Sequence, residues 1–238
     1  MNKDRLYDSL KDYLKKQALE NNLLESKAVV KGRVLAAQEA IGNLKQQDFP
    51  LLKGKEKLLQ AEFEGCKGQA FTGSPGIFEG TLSELLEMPV KTNFEKASFI
   101  AVLNAVMRYL KLVDGTIHCK DEEPSECAEK LVLHIKNNYG SPRIAMVGFQ
   151  PAILKRCAKE FSLRIVDLDP DNVGKEKYGV LVEEGGKTPE LLEWCDLALV
   201  TGSTLANGTI IDFLDLDKPT IFYGTTIAGA AAVLGLNR

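Results

Sequence analysis

The chain has 238 residues, with 30 Lys and Arg against 33 Asp and Glu, for a formal net charge of −3. Hydrophobic residues make up 45% and charged residues 26%, the balance of a globular chain of one or two domains. No basic block interleaved with aromatics suggests a nucleic-acid surface, no apolar run of ~18 residues suggests a membrane span, and the charged start MNKDRLYDSLKDYLKK lacks a signal-peptide core, so the expectation is a cytoplasmic protein.

From Met1 to about Leu24 the sequence reads as a helix, with Leu6, Leu10, Tyr13, Leu14 and Leu19 near one face. KAVVKGRVLAAQEAI and KLLQAEFEGCKGQAFTG look like strands, with Gly65 and Gly68 marking bulges or a twisted edge in the second. Thr81 and Glu84 have capping-box spacing for a short helix. NFEKASFIAVLNAVMRYLKL predicts a long, mostly buried helix capped by Asn93. The polar Asn104 interrupts its apolar face and must find partners, at a loop backbone or in a cleft. VDGTIHCKDEEPSE then breaks the pattern, and the domain boundary is placed here. Pro124 suits the first turn of the next helix, and Glu123 and Glu126 suit its dipole.

From Ser141 the rhythm changes. RIAMVGF, LRIVDLD, YGVLVEE, DLALVTG and PTIFYGT are five short runs rich in strand formers. PAILKRCAKEF, PELLEWC, TLANGTIIDFL and IAGAAAVLGL are the helical patterns between and after them. Strand–helix alternation with apolar strands predicts a parallel sheet covered on both faces. The fold class is therefore α/β: an N-terminal α+β domain, residues 1–118, and a C-terminal minimal doubly wound domain, residues 119–238.

Ligands of open parallel sheets bind beyond the carboxyl ends of the strands, where the winding reverses. That rule selects Gly148, Phe149, Gln150 and Pro151 after the first run, and Asp167, Asp169, Asp171 and Asn172 after the second. Thr201, Gly202, Ser203 and Thr204 follow the fourth run, with Asn207, Gly208 and Thr209 a turn later. Gly224, Thr225 and Thr226 follow the fifth. Gly202 suits a tight turn, and Ser203 or Thr204 suits a helix cap. The motif reads two ways: a cap and nothing more, or a cradle of N–H groups for a phosphate or carboxylate. Asp167 lies 19 residues after Gly148, near the spacing at which an acid meets a ribose hydroxyl. The turn GFQPAIL has one glycine where a dinucleotide fingerprint needs G-x-G-x-x-G, which disfavours NAD or FAD in the standard pose. DLDPDNVG fails the register of a calcium loop, because its sixth position is Asn172 and its twelfth Tyr178.

Five cysteines, Cys66, Cys119, Cys127, Cys157 and Cys195, are scattered and odd in number, so no disulfide framework is expected. His118, Cys119 and Cys127 are candidate soft-metal ligands beside the boundary, though not at zinc-finger spacing. Cys127 falls near a helix start, where the dipole favours thiolate. No Ser-His-Asp, Cys-His or paired-carboxylate constellation stands out, so whether the chain is an enzyme stays open.

GQAFTGSPGIFEGTL, ASFIAVLNAVMRYL, GTIHCKDEEPSECA, MVGFQPAIL, VDLDPDNVG, WCDLALVTGSTLANGTI and FYGTTIAGAAAVL together resemble the heavy-metal-chelation family of uncharacterised prokaryotic proteins. The resemblance spans nearly the whole chain and implies a Rossmann-like C-terminal domain behind an enolase N-terminal-like domain. It also implies the handling of a transition metal or metal-bearing cofactor. The expectation is a small anionic ligand, such as a metal complex or metallocofactor precursor, between the domains. The alternatives are an enzyme with a nucleoside-type cofactor such as an adenosyl donor, and a non-catalytic interaction module. A homodimer fits any of them; nucleic-acid and membrane partners fit none.

Overall fold

The computed structural model describes residues 3–31 and 57–238. Lys3–Glu20 forms α1. Leu6, Leu10, Leu14 and Ala18 bury one stripe of it, whereas Leu19 is 53% exposed; the 3.6-residue period selects Ala18, not its larger neighbour. Burying each leucine contributes about 1.5–3 kcal/mol, well above the differences in helix propensity among ordinary residues, up to about 0.7 kcal/mol, so packing holds α1.

The first sheet is antiparallel: β1 (Lys27–Lys31), β2 (Lys57–Phe63), β3 (Cys66–Thr72) and β4 (Phe78–Thr81), in the order β3-β2-β1-β4. The rest of the strand expected beyond Lys31 lies outside the described residues. The segment expected as one bulged strand is a hairpin, with Phe63 opposite Cys66 and a two-residue turn at Glu64 and Gly65, φ 46° and 76°. Positive φ at both centres is the turn geometry that matches the strand twist. Gly68 marks no bulge. A Cβ there would stand 2.2 Å from Ala101 O and 2.3 Å from Ala105 N, so it admits the helix laid across β3.

That helix is α3 (Asn93–Tyr109), preceded by the short α2 (Leu82–Glu87). Thr81 and Glu84 make the expected capping box on α2. The cap of α3 is Thr92, not Asn93, because Glu95 three residues on closes a second capping box. A strap, residues 110–122, leads from α3 to α4 (Glu123–Tyr139) and carries the expected domain boundary. α4 has Pro124, Glu123 and Glu126 in its first turn, as expected.

The second sheet holds β5 (Ile144–Val147), β6 (Leu163–Asp167), β7 (Glu176–Lys177), β8 (Val180–Glu184), β9 (Leu197–Thr201) and β10 (Thr220–Tyr223). Its order is β10-β9-β5-β6-β8-β7, parallel except for the β7–β8 pair. The five expected runs are thus β5, β6, β8, β9 and β10. The alternating side chains Ile144, Met146, Ile165, Leu197 and Leu199 pack with Val132 and Ile135 of α4 and Leu154 of α5 (Pro151–Cys157). On the opposite face, Ala145 and Val166 meet Leu191 of α6 (Thr188–Trp194). There too, Ala198, Val200 and Phe222 join the core of α1 and α3. TLANGTIIDFL is not one helix: α7 (Ser203–Asn207) ends at left-handed Gly208, and a short 3-10 turn follows at Ile210–Phe213. α8 (Ala228–Leu234) comes after β10. The two flanks of this sheet are short: the two-residue β7 lies outside β8, and the Phe222 N–H on β10 donates to Asn237 O, 2.9 Å.

Asn104 stitches the two sheets together. Fully buried on α3, its Nδ2 donates to Gln69 O of β3 at 3.0 Å and to Thr225 O at 3.1 Å. Its Oδ1 accepts from Gly229 N–H of α8 at 2.7 Å. A side chain on Gly229 would meet Asn104 Oδ1 at 2.9 Å. From the other side, buried Tyr7 of α1 donates its hydroxyl to Leu205 O of α7. No helix among the described residues is long and apolar enough to cross a membrane.

Candidate functional site

The chain runs from β5 outward to β6 and β8, then returns to β9 and β10 on the other side of β5. Winding reverses between β5 and β9, and loops leaving those two tips diverge, which leaves a crevice. A cleft of about 1040 Å³ opens there, lined by the tips of β5, β6, β9 and β10, the loop after β8, and Phe71, Gly73 and His118 from the opposite half. Of the expected residues, Gly148, Phe149, Gln150, Pro151, Asp167, Asp169, Asn172, Thr201, Gly202, Ser203, Thr204, Asn207, Thr209, Gly224, Thr226 and His118 line it. Asp171, Gly208, Thr225, Cys119 and Cys127 do not.

Most of the expected donors already serve the fold. Gly202 has φ −62°, so no unusual turn requires glycine. A Cβ there would lie 2.7 Å from Ile227 N, so the residue is small to admit the loop after β10. Its N–H donates to Tyr223 O, 2.8 Å. Gly202 itself is the cap of α7, and neither Ser203 nor Thr204 provides a side-chain cap. Thr204 instead donates its hydroxyl back to Thr201 O at 2.7 Å. Thr226 Oγ1 accepts from Phe71 N–H at 3.0 Å, tying β3 to the second sheet. Asn207 Oδ1 accepts from Thr209 N–H and Oγ1, at 3.0 and 2.8 Å. Gln150 accepts from Ile153 N–H at 2.6 Å and caps α5.

Gly148 is different. Its φ of 91° lies in the left-handed region, and a Cβ would come 2.6 Å from Thr201 Cγ2. The Tyr223 hydroxyl crosses β9 to donate to Val147 O (3.0 Å) or Gly148 O (2.7 Å), flooring the cleft. Asp167 organises the other wall: Phe149 N–H donates to Oδ2 at 2.7 Å and Asp169 N–H to Oδ1 at 2.7 Å. Asn172 Nδ2 donates to Oδ1 at 3.4 Å. The carboxylate at the ribose spacing is thus engaged by its own loop. Asn172, 1% exposed, lines the cleft and keeps an Oδ1 without a hydrogen-bond partner.

The expectation of an anionic ligand meets the wrong charge. The described lining contains Asp167, Asp169 and Asp212 and neither Lys nor Arg. The strand-tip rule selected Phe149 but not Leu168, Asp212, Tyr223 or Phe71. Tyr223 was findable: it shares the period-two face of Ile221 and directly precedes Gly224. Phe71 was not, because it reaches the cleft through the packing of one sheet on the other.

His118, Cys119 and Cys127 do not converge as a metal centre. Among the described residues no group of three or more His, Cys, Asp or Glu could hold an ion. His118 Nδ1 lies 2.6 Å from Cys119 O, and its ring meets Phe71 edge-on at 5.5 Å between centroids, beside the cleft. Burial pushes its pKa down. Cys119 is half-buried on the strap, and Cys127 is exposed on α4. Cys127 lies past the first turn of α4, so its position does not give it the dipole contact expected.

The fold and cleft define a mixed α/β protein with an antiparallel sheet docked on an open, mostly parallel one. Residues 132–234 match the model of the DUF364 family, described as putative heavy-metal chelation. A DUF364 protein of unknown function from Pyrococcus horikoshii superposes with a TM-score of 0.56 at 15% identity, covering 93% of this chain and 79% of that one. A second, from Desulfitobacterium hafniense DCB-2, gives 0.51 at 14% identity, covering 75% and 72%. At these identities the likeness concerns the fold. The comparison with curated proteins finds no match.

Proposed function

We propose that the protein binds a small metal-bearing organic ligand, a metal complex or metallocofactor precursor, in the cleft above β5 and β9. The observation that carries this reading is a mismatch between size and ligation. The cleft, at about 1040 Å³, is at the upper end of the range for organic ligands, roughly 300–1,000 Å³. A bare ion needs about four to eight donors around it, and the described residues offer no such group. A metal would therefore arrive already held by an organic frame. Apolar walls from Phe71, Val147, Phe149, Leu192 and Phe213 suit that frame. Asp167, Asp169 and Asp212 suit a ligand face bearing positive charge or hydroxyl donors. The description of the matched family supports a link to metals.

The test is thermal shift of the full chain with zinc, nickel and copper salts and with a zinc porphyrin. Stabilisation by the complex and not by the salts, lost in Ser203→Trp, is the expected result. Equal stabilisation by salts alone, or a complex effect that survives a filled cleft, overturns it.

A further inference from the structure

We infer that Asn172, with the Asp167 carboxylate beside it, is the subsite for an ammonium group on the ligand of the cleft. The inference deepens the reading of the cleft as an organic-ligand site and rests on it, but it does not need the metal. Asn172 belongs to the loop between β6 and β7, which is held from within. Phe149 N–H and Asp169 N–H donate to Asp167, and Asp171 N–H donates to Asp169 Oδ1 at 3.0 Å. Asn172 N–H donates to Asp169 O at 2.9 Å, and Asn172 O accepts from Lys175 N–H at 3.2 Å. The Asn172 backbone is thus paired at both groups, and the turn does not depend on its side chain.

That side chain keeps one unspent group. Asn172 is 1% exposed and lines the cleft, and its buried Oδ1 has no hydrogen-bond partner. Folded chains rarely carry such an orphan. Its polarity is fixed. Nδ2 faces Asp167 Oδ1 at 3.4 Å, and a carboxylate only accepts, so turning the amide over would set oxygen against oxygen. The missing partner is a donor. The contact at 3.4 Å is longer than the ordinary range of about 2.7–3.2 Å. It holds the amide loosely, and a small turn of the side chain offers Oδ1 to the cleft.

Charge selects the kind of donor. The described lining holds Asp167, Asp169 and Asp212 and neither Lys nor Arg. Lys177 Nζ lies 5.8 Å from the Phe149 ring centroid, outside the lining. A hydroxyl would satisfy Asn172 and leave that negative charge uncompensated. An ammonium does both, with three N–H donors around one positive charge. Asp167 receives three donors from its own loop and has about four lone-pair sites, so it can take one more. A hard cation such as calcium would want roughly six to eight oxygens, more than this corner supplies.

A residue kept for a ligand has a signature that a structural one lacks. Asn172→Leu, close in size, removes the orphaned acceptor and gives up only the long contact to Asp167. The empty protein should be as stable as before or more so, while the ligand is lost.

The experiment titrates the full chain at pH 7 with tryptamine and with indole-3-ethanol, followed by NMR. The two share a frame and differ in bearing an ammonium or a hydroxyl. Tryptamine is expected to bind about tenfold tighter or more, shifting the Asn172 side-chain amide and the Phe149 N–H. Asn172→Leu should weaken tryptamine about ten- to hundredfold, with a melting temperature without ligand that is unchanged or higher. Asn172→Asp keeps the acceptor and should bind tryptamine no more weakly than the natural chain. Equal affinity for the two compounds, or tryptamine binding that Asn172→Leu leaves unchanged, overturns the ammonium subsite and leaves the organic-ligand reading standing. A lower melting temperature in Asn172→Leu overturns it as well, because Oδ1 then already has a partner. Displacement of tryptamine by millimolar calcium or magnesium assigns the corner to a hard cation and overturns it too. Binding of neither compound is the failure of the organic-ligand reading, and this inference falls with it.

Discussion

The two sides of the switch point are built from similar small residues and do different things. On the β9–β10 side, Gly202 admits the Ile227 backbone, Gly229 admits side chains of α3, Thr226 Oγ1 accepts the Phe71 N–H, and Asn104 fills the remaining polar gap. That side packs against the first half of the molecule, and its strand tips also line the cleft. On the β5–β6 side, left-handed Gly148 leads into a loop that the Asp167 carboxylate holds through the Phe149 N–H, and these residues line the cleft. A glycine–hydroxyl cluster after a strand therefore announces close approach, and whether the approaching object is protein or ligand depends on which element lies opposite.

The comparison is broken most severely at Asn104. Asn104→Leu leaves two buried carbonyls and one buried N–H without their partner, and a loss of about 3–5 kcal/mol is expected in urea unfolding, since each orphaned group costs about 1–3 kcal/mol. A loss under about 1 kcal/mol would show that the halves are not held together there.

Gly148→Ala comes next, because it combines a left-handed φ with the Thr201 contact. A cost of about 2–3 kcal/mol is expected. Thr201→Ser, which removes Cγ2, should recover only part of the contact cost, because Thr201 Cβ stays 2.9 Å from the added methyl. Gly202→Ala meets backbone instead of a side chain, so no neighbouring truncation should rescue its cost of about 1–3 kcal/mol. If Gly202→Ala changed ligand binding while leaving stability intact, the packed side would have been misread.

The smallest effect lies at the opposite end of the sheet. Arg143 donates to Asp196 through its side chain, at 2.8 and 3.0 Å, and its N–H, at 2.9 Å, holding the carboxyl well below the usual range. Below the unfolded value of 3.8 the unfolded chain binds the extra proton. This contribution is whole above that pH and shrinks as the pH falls towards the lower, folded value. Asp196→Asn should cost a little stability at neutral pH, where the contribution is whole, and nothing once the pH is below the folded value, so the acid limb of the stability curve flattens slightly; the cost is small because the pair is exposed.

Local rules located what local forces decide. The strands β5, β6, β8, β9 and β10 were legible because each is an apolar run bounded by turn chemistry, and α2 because Thr81 and Glu84 sit three apart. The 57–72 hairpin was missed because Glu64-Gly65 is a weak turn signal, and Glu64 adopts a positive φ that few side chains do. Asn93 displaced Thr92 as the expected cap because both types cap helices, and only Glu95 separates them. The strand-tip rule selected cleft residues without showing which hydrogen bonds were already spent. Those partners come from far away in sequence: Tyr223 for Gly202, Phe71 for Thr226, Asn104 for Thr225.

The short flanks of the second sheet have a consequence for how this molecule meets others. A bare outer strand offers its unused amides and carbonyls to any extended peptide. Here the strand outside β8 is the two-residue β7, and β10 gives its Phe222 amide to Asn237. A foreign strand would find only short runs of backbone at either flank, which directs any association towards side-chain surfaces.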